Sequence, residues 1–247
     1  MKNSQTIIYD DTCPMCTWYT GQFIKAGVLD SRLPFSELND TDKAQLDLNR
    51  SRHEIPLIDT QTGRVRYGLD ALTFLLSNLF PWAKGLLNNS FFRQLLRPLY
   101  QFVSYNRRII VPFISPKGSF DAAPDFHAGW RIALISFVLL LNMGLHHFFA
   151  QWVTHYLHDA GYVSTFELFF WVNIAFFCSL CSSIHLESIL NRIAQVLISM
   201  LITSIFTMPV WIVFTLTISH LPSLYFAVLF SLFESFFIFI LFHRNQK

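Results

Sequence analysis

Four cysteines fall into two pairs of equal spacing, Cys13/Cys16 in YDDTCPMCTWYT and Cys178/Cys181 in CSLC. Two thiols three residues apart can exchange with a disulfide, ligate a metal or fill a core. The surroundings of the first pair favour exchange. A β-branched, apolar run, TIIYD at 6–10, precedes it, and Trp18 to Ala26 reads as a helix ending at Gly27. That order puts Cys13 at a helix N-cap, where unsatisfied backbone N–H groups favour a thiolate. Pro14 then takes the first helical position, which has no N–H bond to lose. Cys16 follows one turn later. On this reading Cys13 attacks a disulfide and Cys16 resolves the mixed disulfide. Asp10 and Asp11 work against the thiolate; either they point away or one accepts a proton from Cys16. A zinc site needs four ligands. The other pair is about 160 residues away and His53 is the only histidine in the soluble core, so no metal site is expected.

The elements after the helix must position this pair. Arg32 to Leu38 reads as a second strand and 39–52 as a polar stretch with a short helix. Ile55 to Asp59 opens a hairpin that turns at Gln61-Thr62-Gly63 and returns through Arg64 to Tyr67. Leu69 to Phe80 is an amphipathic helix, and Phe91 to Arg108 another, interrupted at Pro98. This is the order of an α/β thioredoxin-like domain, in which a cis proline faces the CxxC; Ile55-Pro56 is the candidate. The domain is expected over 1–112, with a linker at 113–129.

The remainder, 130–247, is of a different composition. The whole chain is 53% hydrophobic, with 27 phenylalanines and only 14% charged residues, against about a quarter in ordinary soluble domains. Between Ile132 and Phe242 the charged side chains are Asp159, Glu167, Glu187, Arg192 and Glu234. Four apolar stretches, 130–150, 166–185, 194–218 and 222–242, approach the roughly 20 residues that cross a bilayer. They predict an all-α domain of four transmembrane helices, kinked at Pro209. Arg107, Arg108, Lys117 and Arg131 precede the first stretch, Arg192 lies between the second and third, and Arg244 and Lys247 follow the fourth. The positive-inside rule puts both termini in the cytoplasm. Met1 to Asp11 lacks the apolar core of a signal peptide. A net charge of +2 without a basic face argues against nucleic acid.

Within the membrane half, Cys178 and Cys181 share a helix face toward the cytoplasmic side. They are a membrane relay for Cys13/Cys16 or small residues in helix packing. Glu234, mid-span, shuttles protons or bonds across helices to a serine, Asn142 or Asn173. His146, His147, His155, His158 and His220 map to the outer end of the bundle. Dithiol exchange requires no cofactor; the relay leaves room for a quinone and the histidines for a haem, and no residue pattern calls for either. The expected partners are a protein or small-molecule disulfide and the lipid bilayer.

YDDTCPMC resembles the signature of the DCC family of thiol-disulfide oxidoreductases, whose DxxCxxC pattern is met by Asp10, Cys13 and Cys16. IDTQTGRVRYGLDAL is similar to that family's hairpin, with Gly68, Asp70 and Ala71 in matching places, and YNRR at 105–108 resembles its closing segment. The likeness covers about residues 5–112 and departs at Asp11, where the family usually has glycine. It implies a thioredoxin-like fold and an oxidoreductase role. Sequence therefore points to a membrane-anchored thiol-disulfide oxidoreductase acting as a cytoplasmic reductase. The alternative is a non-catalytic thioredoxin-like binding module on a membrane anchor or transport bundle.

Overall fold

The computed structural model describes residues 5–111, 123–157, 168, 170–176, 179, 185–217 and 223–244. The chain divides into two compact units, Met1–Trp130 and Arg131–Lys247.

The first unit is built on a mixed four-stranded sheet in the order β2-β1-β3-β4. Strand β1 is Gln5–Tyr9, β2 Ser31–Pro34, β3 Pro56–Asp59 and β4 Val65–Tyr67. β2 runs parallel to β1, while β3 is antiparallel to both β1 and β4. Alternation along β1 and β3 decides what each face buries. Ile7 and Leu57 point to one side, against Phe23, Val28, Ala71 and Leu75. Ile8 and Ile58 point to the other, against Phe35, Leu38 and Leu46. The central strands are therefore covered on both faces.

Helix α1, Pro14–Lys25, follows β1 after four residues. It ends where Gly27 takes a φ of 70°. There the amide of Val28 bonds the carbonyl of Phe23 at 3.1 Å and that of Gly27 bonds Ile24 at 3.0 Å, which satisfies the last carbonyls. Where a strand to Leu38 was expected, β2 stops at Pro34 and Phe35–Glu37 forms a single 3-10 turn. The polar stretch holds two short helices, α2 Asp40–Ala44 and α3 Leu48–His53, capped by the Asn39 and Asp47 carbonyl or carboxylate oxygens. The hairpin turns as expected: Asp59 Oδ1 accepts the amides of Gln61 and Thr62, and Gly63 has a φ of 67°.

Helix α4, Gly68–Leu79, starts at a left-handed residue. Gly68 has a φ of 56°, and a Cβ there would lie 2.9 Å from the Glu54 side chain. Gly68→Ala is expected to cost about 1–2 kcal/mol from the backbone alone. Thermal unfolding should show the loss, and an unchanged melting temperature would mean the backbone relaxes freely.

After the short helix α5, Lys84–Leu87, comes α6, Ser90–Ile110. It was expected to break at Pro98 and does not. Pro98 is exposed, so the Gln94 carbonyl it leaves without an intrahelical donor faces the wet side of the helix. There water can replace the bond.

Two helices among the described residues are long and apolar enough to cross a membrane: Ala128–His155 within α7, Ala128–Leu157, and Leu186–Val213 within α8, Leu186–Thr217. These correspond to the first and third expected stretches. Half of the second, 166–185, lies outside the described residues, and 170–176 within it are helical. The fourth is helical as α9, Ser223–Arg244, with a shorter apolar run over Val228–Ile240. Residues 186–193 were expected to connect two helices and instead form the first turns of α8. Glu187 suits that position, facing the positive end of the helix dipole. Pro209 lies inside α8.

Candidate functional site

The turn between β1 and α1 fixes the first cysteine pair. Cys13 is the N-cap of α1, with extended φ and ψ of −92° and 111°, and Pro14 opens the helix. The backbone amide of Cys13 bonds the Asp10 carbonyl at 3.1 Å, closing the turn. The Cys13 Sγ accepts the Cys16 backbone N–H at 3.4 Å. Both cysteines are free thiols and both are buried, Cys13 at 0% and Cys16 at 3% exposure.

Their acidities are driven apart. The hydrogen bond from the Cys16 thiol, the Cys16 backbone N–H and the positive charge of Arg107 lower Cys13 to about 7, against burial and Asp10. The same thiol–thiol bond, together with burial, raises Cys16 far above the ordinary range. At neutral pH Cys13 is the more readily ionised thiol of the pair, and Cys16 the one that keeps its proton.

Asp10, expected among the reacting residues, has its carboxylate committed elsewhere. Oδ1 accepts the Thr12 amide at 3.1 Å and the Thr12 hydroxyl at 2.5 Å. Oδ2 lies 3.4 Å from Arg107 and 3.8 Å from Arg108. Asp10 is buried, so this ion pair ties the CxxC turn to the C-terminal end of α6 inside the unit. Asp11 turns outward and accepts the Ser36 hydroxyl at 2.9 Å. No cis peptide occurs among the described residues, so Ile55-Pro56, the candidate for a cis proline facing the CxxC, is the ordinary trans proline at a strand entry. Pro56 instead enters β3 directly and pairs with Tyr67.

Arg107 and Arg108 were met in the sequence only as part of YNRR and as charges before a span. Their place at the site comes from contact with Asp10, 97 positions before Arg107. An adjacent basic pair at the C-terminal end of a strongly amphipathic helix was the signal available. Tyr19 and Tyr100 were also missed. Burial raises both phenols, Tyr100 to about 12, and Arg107 is close enough to oppose the rise in each. The Tyr100 hydroxyl accepts the Ile55 amide at 3.2 Å.

In the second unit, Glu234 is buried and bonded across helices. Its Oε1 accepts the Ser204 hydroxyl at 2.9 Å, and its Oε2 lies 3.1 Å from His146 Nε2. His146 was grouped with the outer-end histidines; it is instead buried, with Nδ1 2.9 Å from the Asn142 carbonyl. Asn142 donates to the Leu197 carbonyl at 3.0 Å, and Asn173 to the Ser231 hydroxyl at 2.8 Å. A carboxylate in an apolar bundle finds partners within reach, and the imidazole one helix away supplies one. Cys178, Cys181, His158 and His220 lie outside the described residues.

Residues 7–111 match the family model described as DCC1-like thiol-disulfide oxidoreductase. The match takes in Asp10, both cysteines, the hairpin and the two arginines. No curated protein and no solved structure matches the chain.

Proposed function

We propose, on the match of its N-terminal half to the DCC1-like thiol-disulfide oxidoreductases, that this chain reduces disulfides through Cys13 and Cys16 from a membrane-anchored, thioredoxin-like domain. The strand order, with the CxxC at the N-terminus of the first helix, supports the thioredoxin-like reading. The observation that carries the activity is the capped Cys13 thiol, lowered to about 7 beside a Cys16 that keeps its proton. The Cys13 thiolate attacks one sulfur of the substrate disulfide, forming a mixed disulfide and releasing the first substrate thiolate. Cys16 then loses its proton and attacks the Cys13 sulfur. A Cys13–Cys16 disulfide forms and the second substrate thiolate leaves, so the dithiol has given up two electrons.

Arg107 stabilises the thiolate, and Asp10 is a positioning residue that holds Arg107 and the turn. Two apolar helices of spanning length support the anchor, and the distribution of Lys and Arg supports cytoplasmic termini. In that compartment the pair rests reduced. To complete the cycle the Cys13–Cys16 disulfide must be re-reduced. In this scheme Cys178 and Cys181, with Glu234 for the protons, relay two electrons to it, and a quinol, which is oxidised to the quinone, is the chemical class suited to supply them.

Full burial of Cys13 favours a second reading, a binding module whose thiols are structural. Redox titration separates the two. Full-length protein is equilibrated across a glutathione series and trapped with a mass-tagging alkylator, as wild type, Cys13→Ser and Cys178→Ser. A two-electron couple that vanishes in Cys13→Ser is expected. Its midpoint moving in Cys178→Ser supports the relay. No disulfide at any potential sinks the oxidoreductase and leaves the binding module.

A further inference from the structure

Against the α1, α4 and α6 side of the sheet lies a cavity of about 820 Å³. This is ample for a small-molecule ligand, since such pockets run roughly 300–1,000 Å³. Cys16 lines it and Cys13 does not. Its inner wall is apolar, from Ile7, Phe23, Ile55, Leu72 and Leu75. Its outer wall includes Trp18, Leu99 and Val103, which are exposed, Trp18 at 67%. Leu99 and Val103 continue an exposed ridge on α6 through Leu95 to Phe91, four residues apart at each step. An apolar patch of this extent is unusual on a water-soluble monomer. Two helices among the described residues are long and apolar enough to cross a membrane; on the membrane-anchored reading, on which this choice of occupant rests, a lipid phase is at hand.

The lining also has a polar group of side chains: Cys16, Tyr19, Tyr100, Ser104 and Arg107. Arg107, ion-paired with Asp10, acts electrostatically on Cys16, Tyr19 and Tyr100, so these gather around one guanidinium group. The Tyr100 hydroxyl accepts the Ile55 amide and so keeps its own proton to donate. An extended peptide would bring backbone N–H and C=O groups against leucine side chains that cannot bond them. A hydrocarbon chain brings none, and each methylene it buries strengthens binding about fourfold.

We propose that this cavity binds a lipid-dissolved amphiphile: an apolar chain lying along α4 and α6, and an anionic or hydrogen-bond-accepting head at Arg107, Tyr100 and Cys16. The sulfur that such a ligand meets is Cys16. Binding goes beyond the dithiol reading and does not require it.

Full-length protein in phosphatidylcholine nanodiscs is labelled with N-methyl-, N-butyl- and N-octylmaleimide, following Cys16 in Cys13→Ser and Cys13 in Cys16→Ser. The Cys16 rate is expected to rise at least tenfold from methyl to octyl, while the Cys13 rate stays within about twofold, because both meet the same lipid. Leu72→Asn in the wall and Leu99→Gln at the exposed edge, each folded by circular dichroism, should flatten the rise. Decanoate should protect Cys16 and decyltrimethylammonium should not. A flat Cys16 series, or an equal rise for both cysteines, overturns the site. Equal protection by both amphiphiles overturns the assignment of the head to Arg107. A chain-length effect without a redox couple removes the oxidoreductase and keeps the site, and a couple without the effect does the reverse.

Discussion

Cys13→Ser is expected to lower disulfide reduction by at least about 100-fold, whereas Cys16→Ser should still attack once and stop. The difference follows from the split acidities. Near neutral pH a thiol lowered to about 7 is roughly half thiolate, while an ordinary cysteine near 8.5 is a few per cent ionised. Serine has no comparable anion at this pH. In Cys16→Ser the first step survives, and the protein should accumulate as a mixed disulfide with substrate, visible by mass under non-reducing conditions. The pH dependence has a definite sign. The folded state favours the Cys13 thiolate, so alkylation of Cys13 should fall about tenfold per unit below pH 6 and level off above pH 8. Arg107→Met removes a stabilising charge and should move that midpoint upward. Cys16 cannot act early, because its largest upward push is the bond it donates to Cys13. Once Cys13 is tied up as a mixed disulfide, that bond to an anion is gone and the Cys16 proton is easier to lose. On the proposed mechanism the order of the two steps is therefore set by the pair itself. Should Cys16 alkylate at neutral pH as fast as Cys13 in the wild type, this account of the pair is wrong.

What was legible in the sequence is what depends on neighbours in the chain. The β-branched run of β1, the Cys-Pro start of α1 and the Gln61-Thr62-Gly63 turn are short-range signals, and each element appears where its local chemistry asks for it. Errors came where a local rule met a particular environment. Pro98 breaks no helix because it faces water. β2 ends early because Pro34 passes into a 3-10 turn that buries Phe35. The pairs that complete each site were not legible, because no spacing rule links Asp10 to Arg107, or His146 to Glu234 at a separation of 88. Sequence gave charges of the right sign; only the fold could bring them into contact. The cavity beside Cys16 was hidden for the same reason. Its wall is assembled from ordinary amphipathic positions of α1, α4 and α6, each of which reads alone as core.

Asp10→Ala should be the most destabilising single change in the first unit, at about 3–5 kcal/mol, the range for breaking a buried ion pair. The carboxylate holds four groups: the Thr12 amide, the Thr12 hydroxyl and the two guanidinium groups. Alanine leaves Arg107 buried without its counter-charge and opens the turn that carries Cys13. For a domain of this size the melting temperature should drop by more than about 10 °C. Asp10→Asn keeps an acceptor for Thr12 and loses only the charge, so its penalty should be smaller. Its effect on chemistry has the opposite sign from its effect on stability. Asp10 raises the Cys13 thiol and Arg107 lowers it, so Asp10→Asn should make Cys13 more acidic while weakening the fold. Arg107→Met should weaken the fold and make Cys13 less acidic. The double variant Asp10→Asn/Arg107→Met removes both charges of the more deeply buried pair at once and should recover part of the stability lost by either, because Arg107 is then not left buried beside a neutral side chain. Thermal unfolding with the Cys13 alkylation profile reads both axes on the same samples. If Asp10 served instead as the proton acceptor for Cys16, Asp10→Asn would shift the midpoint of Cys13 alkylation and slow the resolving step as well. A shifted midpoint with an unchanged resolving rate assigns Asp10 to positioning.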